Sequence, residues 1–529
     1  MSKVRTRRAA AQGAASAIAL LLIASGAGPA HASQRPVPDK AEPQSQRTVD
    51  VQILGLNETH GQLLPLNRNG RPAGGAATLA AYLAQEEAEN PRTLILDSGD
   101  FMQGPAISSY FEGASTMEVY NAIGVDATAV GNHEYDWGQD AFAERVDEAE
   151  FPFLAVNVID DATGEAPAGV QPYVIEKMQG VKVGIIGVAN PDTKSVTLPE
   201  ATEGLSFLDL AASAGAVNDA VAELKAQGVE TIVVSAHQGL ETETTGALAD
   251  LVADFDTDID LVLGGHIPLE FATEINGIPV VQPFGNTRGY ADVTLTVDRA
   301  TKDVTAVRTE LDATWVDEIQ PDATVQSIVD RYQALLGEEL GNTVGEATTS
   351  ILRGATRGVE SEMGNFVTDA MRGYFPSVDF AVTNAGGLRA NIDAGPITLE
   401  EVYAVLPFNN TLVTMGLTGE QVRQVLEEGA ASRFGTVQVS GLSWAYDADA
   451  PFGARVTSVT LPDGSALDPT ATYRVATNNF MSGGGDQFTT LTQGTGTVDT
   501  QINLVDTVVR YLEKFSPADP QVEGRLTVQ

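Results

Sequence analysis

Short apolar runs alternate with amphipathic segments along the first half of the chain. Seven runs have the length and composition of buried strands: 51–56, 93–96, 127–130, 153–156, 181–188, 231–236 and 261–263. The stretches 76–89 and 211–227 carry apolar residues at helical spacing between these runs. Strands that alternate with helices predict a layered α/β domain.

A second pattern begins after residue 320. Pro321-Asp322 precedes apolar residues at helical spacing, and Gly341 follows them, so we predict a connecting helix over 320–341. The remaining segment is rich in Thr, Gly and Val, and its predicted strands are 380–383, 411–417, 456–461 and 473–477. It indicates a second α/β or α+β domain.

The N-terminus has the pattern of an export signal. Four basic residues come first (Lys3, Arg5, Arg7 and Arg8), and the apolar run 14–23 is too short to span a bilayer comfortably. Ala30-His31-Ala32 is a cleavage signature, so residues 1–32 are the predicted signal peptide and the polar, Pro-rich residues 33–47 a flexible lead-in. We expect an exported protein that is secreted, cell-wall associated or periplasmic, with no membrane segment in its mature form.

Composition limits both the binding partners of the chain and the side chains that could hold a metal. The 529 residues include 31 Lys and Arg against 71 Asp and Glu, a formal charge of −40 that becomes −44 without residues 1–32. Such a polyanion is a poor partner for nucleic-acid polymers or anionic lipid. The absence of Cys excludes disulfides, thiol nucleophiles and Cys-based metal sites, so a transition metal would need His, Asp, Glu, Asn or Gln.

The four His residues after residue 32 all lie in short polar motifs that follow predicted strands. These motifs are Asn57-Glu58-Thr59-His60-Gly61, Gly131-Asn132-His133-Glu134, Ser235-Ala236-His237-Gln238-Gly239 and Gly264-Gly265-His266. Asp100 follows the second strand in the same way. Ligands bind at the carboxyl ends of strands in α/β sheets, so one convergent site is predicted. Imidazole and carboxylate suit Zn, Mn, Fe or Ni, and two such metals about 3.5–4 Å apart can activate water and clamp phosphate oxygens.

From about residue 48 to 525, the chain resembles the secreted 5′-nucleotidase family, which includes periplasmic UDP-sugar hydrolases. Two motifs carry the resemblance: Asp97-Ser98-Gly99-Asp100 and Gly131-Asn132-His133-Glu134-Tyr135-Asp136. It implies a four-layer α/β/β/α calcineurin-like metallophosphatase domain over 48–316, a connecting helix over 317–343 and a C-terminal α/β nucleotide-binding domain over 344–529.

The resemblance also implies two divalent metal ions, drawn from Zn, Mn, Co or Fe. Asp100 would bridge both ions. The ligands Asn132, His237 and His266 would complete one site, and Glu58 and His60 would belong to the other. Two departures concern that other site: the family usually has Asp at position 58, and it has Gln, Asn or His where this chain has Pro268. They predict a weaker or differently selected metal there.

His133 and Asp136 are the predicted catalytic pair. By the resemblance, His133 is not a ligand and instead stabilises the phosphate or donates a proton. A carboxylate three residues later in a turn can hold the imidazole's tautomer and keep it cationic. Capping of a helix start is the alternative role for Asp136.

Substrate-binding residues are expected in the C-terminal domain. Guanidinium groups suit phosphate oxygens, and two Phe residues in loop-like segments can enclose a flat base. The resemblance assigns phosphate binding to Arg353, Arg357 and Arg389, base stacking to Phe408 and Phe480, and ribose contact to Asp486. It adds Asn384, Asn410 and Gly441 to the same pocket.

These features together predict a metal-dependent phosphohydrolase that releases phosphate from nucleoside 5′-monophosphates and also acts on nucleotide sugars or diphosphates. A 2′,3′-cyclic phosphodiesterase or broad phosphomonoesterase is the alternative within enzymes. A non-catalytic nucleotide-binding protein is a second alternative, motivated by Glu58 and Pro268, and a surface adhesin is a third, which gives no reason for the placement of the His residues.

Overall fold

The computed structural model describes residues 47–529 except residues 69, 179, 268 and 355–357. The predicted export signal, nearly all of the lead-in, Pro268 and Arg357 therefore lie outside the described residues.

The strands of the N-terminal half are β1 (Thr48–Leu56), β2 (Pro65–Arg68), β3 (Arg71–Gly74), β4 (Thr93–Asp97), β5 (Ala127–Ala129), β6 (Phe153–Leu154), β7 (Val158–Asp160), β8 (Val170–Gln171), β9 (Tyr173–Met178), β10 (Val181–Val188), β11 (Leu205–Phe207), β12 (Thr231–Ala236), β13 (Leu261–Gly264), β14 (Phe271–Ile275), β15 (Ile278–Gln282), β16 (Gly289–Asp298) and β17 (Val304–Ala313).

Two large sheets form the centre of this half. The first has seven strands in the order β17-β16-β1-β4-β5-β6-β8, parallel from β1 to β8. The second has six strands in the order β14-β15-β13-β12-β10-β9, with β10, β12, β13 and β15 parallel. Apolar side chains from both sheets share one core, including Ile53 and Leu94 from the first and Ile185 and Val233 from the second, so the sheets pack face to face.

Helices cover the outer face of each sheet. They are α1 (Ala76–Glu89), α2 (Ala106–Ser109), α3 (Ala114–Ile123), α4 (Gly138–Glu148), α5 (Thr193–Val196), α6 (Leu210–Ala226), α7 (Ala247–Ala253) and α8 (Ala323–Leu340). The apolar sides of α1, α3 and α8 share a core with the first sheet, and α6 and α7 share one with the second. This confirms the predicted four-layer α/β/β/α arrangement.

The C-terminal half is a smaller α/β unit. Its strands are β18 (Thr343–Ala347), β19 (Phe380–Asn384), β20 (Gly395–Thr398), β21 (Thr411–Thr418), β22 (Val437–Ser440), β23 (Ser443–Tyr446), β24 (Val456–Thr460), β25 (Thr472–Asn478), β26 (Thr495–Asn503) and β27 (Leu526–Val528). Its helices are α9 (Glu362–Tyr374), α10 (Leu399–Val405), α11 (Gly419–Ala431), α12 (Asn479–Ser482) and α13 (Leu504–Phe515). A five-stranded sheet in the order β22-β19-β25-β21-β26 lies at its centre.

The predicted connecting helix is observed as α8, three residues shorter at its start than expected. Asp322 caps it by accepting hydrogen bonds from the backbone N–H groups of Thr324 and Val325. The helix packs against α1 and α3, and its buried residues include Val325, Val329 and Leu336. It is therefore part of the outer helical layer of the N-terminal half.

Several strands were missing from the sequence prediction, and the longest pair among them is β16 and β17. β16 and β17 form a long antiparallel hairpin that extends the first sheet beside β1. β17 is mostly half-buried or exposed, so it lacks the continuous apolar run that marks the parallel strands. Among the described residues, none of the helices combines the length and apolar character needed to cross a membrane.

Candidate metal centre and nucleotide pocket

The predicted metal ligands meet where the two sheets present the carboxyl ends of their parallel strands. Glu58 and His60 follow β1, Asp100 follows β4, and Asn132 and His133 follow β5 in the first sheet. His237 and His266 follow β12 and β13 in the second sheet. Glu58, His60, Asp100 and His266 all have positive φ values, between 48° and 67°. A non-glycine residue rarely adopts this conformation, and such strain concentrates at functional sites.

Two groups of ligand atoms share Asp100. In the first group, Asp100 lies with His60 and His133, and in the second it lies with His237 and His266. Within each group the ligand atoms lie within 4.8 Å of one another. Asp100 Oδ2 lies 3.0 Å from His237 Nε2 and 4.0 Å from His133 Nε2. Asn132 Oδ1 lies 3.2 Å from His237 Nε2, which places it beside the second group.

Backbone carbonyls orient two of the imidazoles. His60 Nδ1 lies 2.9 Å from the Gln103 carbonyl, and His237 Nδ1 lies 2.7 Å from the Ser98 carbonyl. A carbonyl only accepts, so each Nδ1 carries the hydrogen and each Nε2 faces the site. This is the usual way in which a second contact fixes the tautomer of a metal-binding imidazole. The donor set fits divalent cations because buried carboxylate, amide and imidazole groups face one another.

Both carboxylate oxygens of Glu58 make contacts within the site. Oε1 accepts a hydrogen bond of 2.8 Å from the backbone N–H of His266, and Oε2 lies 3.0 Å from His60 Nε2. The longer side chain therefore reaches the opposite sheet while it stays beside His60. Pro268, the other departure, is among the residues that the structure does not describe.

The charges in the site are strongly coupled. Burial disfavours a charged His237, but the carboxylates of Asp100, Glu58 and Glu134 raise its pKa to about 10. Burial and the neighbouring His237 lower the pKa of His266 to about 4. Burial disfavours a charged Asp100, yet the surrounding imidazoles hold its pKa well below the usual range. Since metal binding needs neutral imidazole, a cation would take the place of the proton that His237 holds here.

His133 and Asp136 form the predicted pair. His133 Nδ1 lies 2.7 Å from Asp136 Oδ2, and its Nε2 faces Asp100. The 3-10 turn His133–Tyr135 places the two side chains together. Asp136 contacts the imidazole, and the following helix α4 has no side-chain cap at its start, so the capping role is not what the geometry shows.

Glu134 holds the two loops that carry Asp100 and Asn132, a role that sequence reasoning did not assign. Its carboxylate accepts hydrogen bonds from the backbone N–H groups of Asp100, Phe101 and Gly131 at 3.0, 3.0 and 2.7 Å. Burial and the charge of Asp100 raise the pKa of Glu134 to about 8. Gly131 is required there, because a Cβ would lie 2.2 Å from Asp100 Oδ1.

Residues of the C-terminal half border the metal ligands. The Phe408 ring stacks against the His133 ring with centroids 5.8 Å apart, and the Arg389 guanidinium lies 5.6 Å from the Phe408 ring centroid. The charge of Arg389 also acts on His60 and Asp136, where it opposes the net rise of their pKa values, so it lies near the first group of ligands. Arg353 supports this arginine by donating a hydrogen bond of 2.9 Å to the Arg389 carbonyl.

The remaining pocket residues lie together at the end of β19 and β25. Asn384 Nδ2 donates a 2.8 Å hydrogen bond to Asp486 Oδ2. The Phe480 ring packs over Gly485, where a Cβ would lie 2.4 Å from the ring. Asn410 is next to Thr411, whose N–H donates to the Asn479 side chain beside Phe480. A Cβ built on Gly386 would lie within 4 Å of the side chains of Asn384 and Asp486 and of the Phe434 carbonyl, and the sequence did not predict Phe434 beside this pair.

Gly441 lies away from the other pocket residues, which corrects the prediction that it belongs to the pocket. In the pairing of β19 with β22, Asn384 lies opposite Val437, whereas Ser440 lies opposite Ala381. Three residues of strand separate these positions by about 10 Å, so Gly441 lies beyond the other end of the strand pair. There, with φ of 89°, it is packed against the Asp379 carbonyl and the Arg372 side chain.

Comparisons with known proteins agree with this architecture. Residues 51–270 match the calcineurin-like phosphoesterase model, and residues 343–493 match the model of the 5′-nucleotidase C-terminal domain. The crystal structure of a 5′-nucleotidase precursor from Thermus thermophilus superposes with a TM-score of 0.81 at 30% identity, covering 91% of this chain and 99% of that chain.

Two curated relatives come from Bacillus subtilis strain 168. Endonuclease YhcR is 31% identical over 84% of this chain, and the trifunctional nucleotide phosphoesterase protein YfkN is 28% identical over 90% of it. The chain spans only 38% and 35% of the lengths of these relatives. The two family models and the fold agree, and the chain belongs to the 5′-nucleotidase family, with a calcineurin-like phosphoesterase domain followed by a 5′-nucleotidase C-terminal domain.

Proposed function

We propose that this protein is an exported phosphohydrolase that releases phosphate from nucleoside 5′-monophosphates with the help of two divalent metal ions. One observation carries the proposal: the Phe408 ring of the C-terminal half stacks against His133, which lies in a ligand group with Asp100, and the Arg389 guanidinium lies beside that ring. An aromatic ring and a guanidinium beside a metal centre suit a substrate that has both a base and a phosphate. The family membership and the names of its relatives support the same substrate class.

The ligand residues divide naturally between two cations. Glu58, His60 and Asp100 would hold one, and Asp100, Asn132, His237 and His266 would hold the other. Divalent cations supply Lewis-acid stabilisation of phosphoryl charge and activation of water. Zn, Mn, Co and Fe are the candidate metals.

The protein's own side chains have separate tasks in this scheme. Asp136 holds the His133 imidazole through Nδ1, so Nε2 is the atom that donates a hydrogen bond or a proton to the substrate. Arg389 neutralises phosphate charge in a chain whose overall charge would repel it. Phe408, Phe480, Asn384, Asn410 and Asp486 bind the nucleoside, and Arg353 and Arg357 assist with phosphate.

The experiment is a substrate panel on the purified protein with its metal content measured. The panel compares AMP, UDP-glucose, 2′,3′-cyclic AMP and p-nitrophenyl phosphate after loading with Mn²⁺, Zn²⁺ or Co²⁺. We expect the highest kcat/KM with AMP and lower turnover of UDP-glucose. Binding of AMP without release of phosphate from any substrate would refute the proposal and favour a nucleotide-binding protein.

A second candidate is phosphodiester hydrolysis on the same site. The names of two relatives, an endonuclease and a trifunctional nucleotide phosphoesterase, favour this possibility. Faster turnover of 2′,3′-cyclic AMP than of AMP would select it. Export is tested separately by locating the protein in cell fractions and sequencing its mature N-terminus, which we expect at Ser33.

A further inference from the structure

Asn190 is a buried polar residue beside the metal ligands that neither the motifs nor the scheme above uses. It follows β10 of the second sheet and is 3% exposed. Its side chain lies between Asn132 and His266, both candidate ligands of one cation. Its position at the carboxyl end of a parallel strand is that of the other site residues.

The orientation of the Asn190 amide is fixed by its surroundings. The backbone N–H of Asp192 donates a hydrogen bond of 2.9 Å to Asn190 Oδ1, and Gln238 Nε2 donates another of 2.9 Å to the same oxygen. A backbone N–H can only donate, so the atom that faces it must be the amide oxygen. The Asn190 NH₂ group therefore faces the metal ligands.

An amide NH₂ cannot serve as a ligand for a cation, because its lone pair is delocalised and its hydrogens point outward. Its contacts in the site are long: Nδ2 lies 3.5 Å from Asn132 Oδ1 and 3.4 and 3.5 Å from the two ring nitrogens of His266. Hydrogen bonds with nitrogen donors are usually about 2.7–3.2 Å long. A donor that is buried with only long contacts is suited to an acceptor that arrives with the substrate.

We propose that Asn190 binds the phosphoryl group of the substrate by donating a hydrogen bond to one of its oxygens. The inference rests on the proposed function only for the identity of the substrate, since inorganic phosphate would make the same contact. A phosphoryl group between the two ligand groups has Arg389 near His60 on one side and Asn190 beside His266 on the other. Asn190 thus contacts the part that all substrates share, and the C-terminal pocket contacts the nucleoside.

The test compares Asn190→Ala and Asn190→Asp with the wild type. The Ala variant removes the donor. The Asp variant keeps an acceptor for the N–H of Asp192, but it turns a carboxylate oxygen toward the phosphate and toward the cation. Ser195→Ala is the control, because Ser195 Oγ donates to the Asp192 carbonyl in the same turn and does not contact the site.

Orthophosphate binding to the Mn²⁺-loaded proteins is measured by calorimetry, and metal content by elemental analysis. We expect Asn190→Ala to weaken orthophosphate binding by about 10- to 100-fold, the range for one hydrogen bond to a charged group. Asn190→Asp should weaken it at least as much while the metal content stays at the wild-type level. Ser195→Ala should bind as the wild type does.

Turnover gives a second readout. The Asn190 variants should lose kcat/KM by the same factor for AMP and for p-nitrophenyl phosphate, because the lost contact is to the phosphoryl group. Wild-type protein that binds no orthophosphate, or an Asn190→Ala variant that binds it within twofold of the wild type, would overturn the inference. Loss of metal in the Asp variant would also overturn it, since Asn190 would then serve the metal site. If the wild type binds orthophosphate but does not hydrolyse AMP, the proposed function fails and this inference stands.

Discussion

The two halves of the site are held in different ways. Around the metal ligands, backbone groups fix the side chains: carbonyls orient His60 and His237, and Glu134 accepts three backbone hydrogen bonds. In the C-terminal half, ring contacts hold the two aromatic residues, with Phe408 against His133 and Phe480 over Gly485, and a hydrogen bond between side chains joins Asn384 to Asp486. Under the proposed function, the first arrangement would keep the reacting groups in place, and the second would bind the nucleoside.

The largest expected effect comes from Asp100, because both ligand groups depend on it. Asp100→Ala should remove most of the bound metal and lower hydrolysis of every substrate, with or without a base, by at least about 10³-fold. Elemental analysis and phosphate release on AMP and p-nitrophenyl phosphate measure this. Asp219→Ala is the control, because Asp219 is an exposed residue on α6. Full metal occupancy in Asp100→Ala would contradict its bridging position.

A substitution at His133 distinguishes a role in catalysis from a role in metal binding. His133→Ala should lower kcat by roughly 10²-fold or more while the metal content stays unchanged, as expected for a general acid or an electrostatic stabiliser. Asp136→Asn should give a smaller loss, because the imidazole remains but its tautomer is no longer fixed by a carboxylate. Loss of metal in His133→Ala would instead make His133 a ligand, as its place in the first group of ligand atoms allows.

A substitution at Phe480 tests nucleoside binding in the C-terminal half alone. Phe480→Ala should raise KM for AMP by about 10-fold, the worth of one aromatic contact, and leave hydrolysis of p-nitrophenyl phosphate nearly unchanged. Steady-state kinetics on both substrates provide the measurement, and Phe452→Ala is the control, since Phe452 is 59% exposed. Equal damage to both substrates would show that Phe480 supports the fold of the pocket rather than the base.

The sequence predicts the site best where an apolar strand is followed by a residue type that binds metal. The parallel strands β1, β4, β10 and β12 are largely apolar, and a candidate His or Asp ligand follows three of them within four residues. The family motifs then supplied the metal ligands, which the structure brings together.

The missed features have weaker signals. Asn190 follows β10 but belongs to no motif, and its role depends on which way its amide faces, which only the turn reveals. Glu134 lies inside a motif, yet its three backbone contacts join loops that are distant in sequence. Gly441 was assigned to the nucleotide pocket by resemblance. The strand register places it at the other end of the strand pair, where a positive φ and the close approach to Asp379 require a glycine.

An exposed ion pair between the two halves should matter least. The Arg433 guanidinium pairs with the Asp192 carboxylate, and the Tyr110 and Tyr403 rings meet edge to face at 5.8 Å. The ion pair is more than half exposed on both sides, so water and salt screen it.

Asp192→Asn and Arg433→Gln, alone and together, form a double-mutant cycle for this ion pair. We expect a coupling of less than about 1 kcal/mol in the free energy of unfolding and less than a threefold change in KM for AMP. Asn at position 192 keeps the backbone N–H that orients Asn190, so orthophosphate binding should stay at the wild-type level. A large rise in KM for AMP, without one for p-nitrophenyl phosphate, would show that this ion pair holds the nucleoside pocket against the metal centre. The ring contacts would then not be sufficient to position the C-terminal half, and the contrast between the two halves would fail.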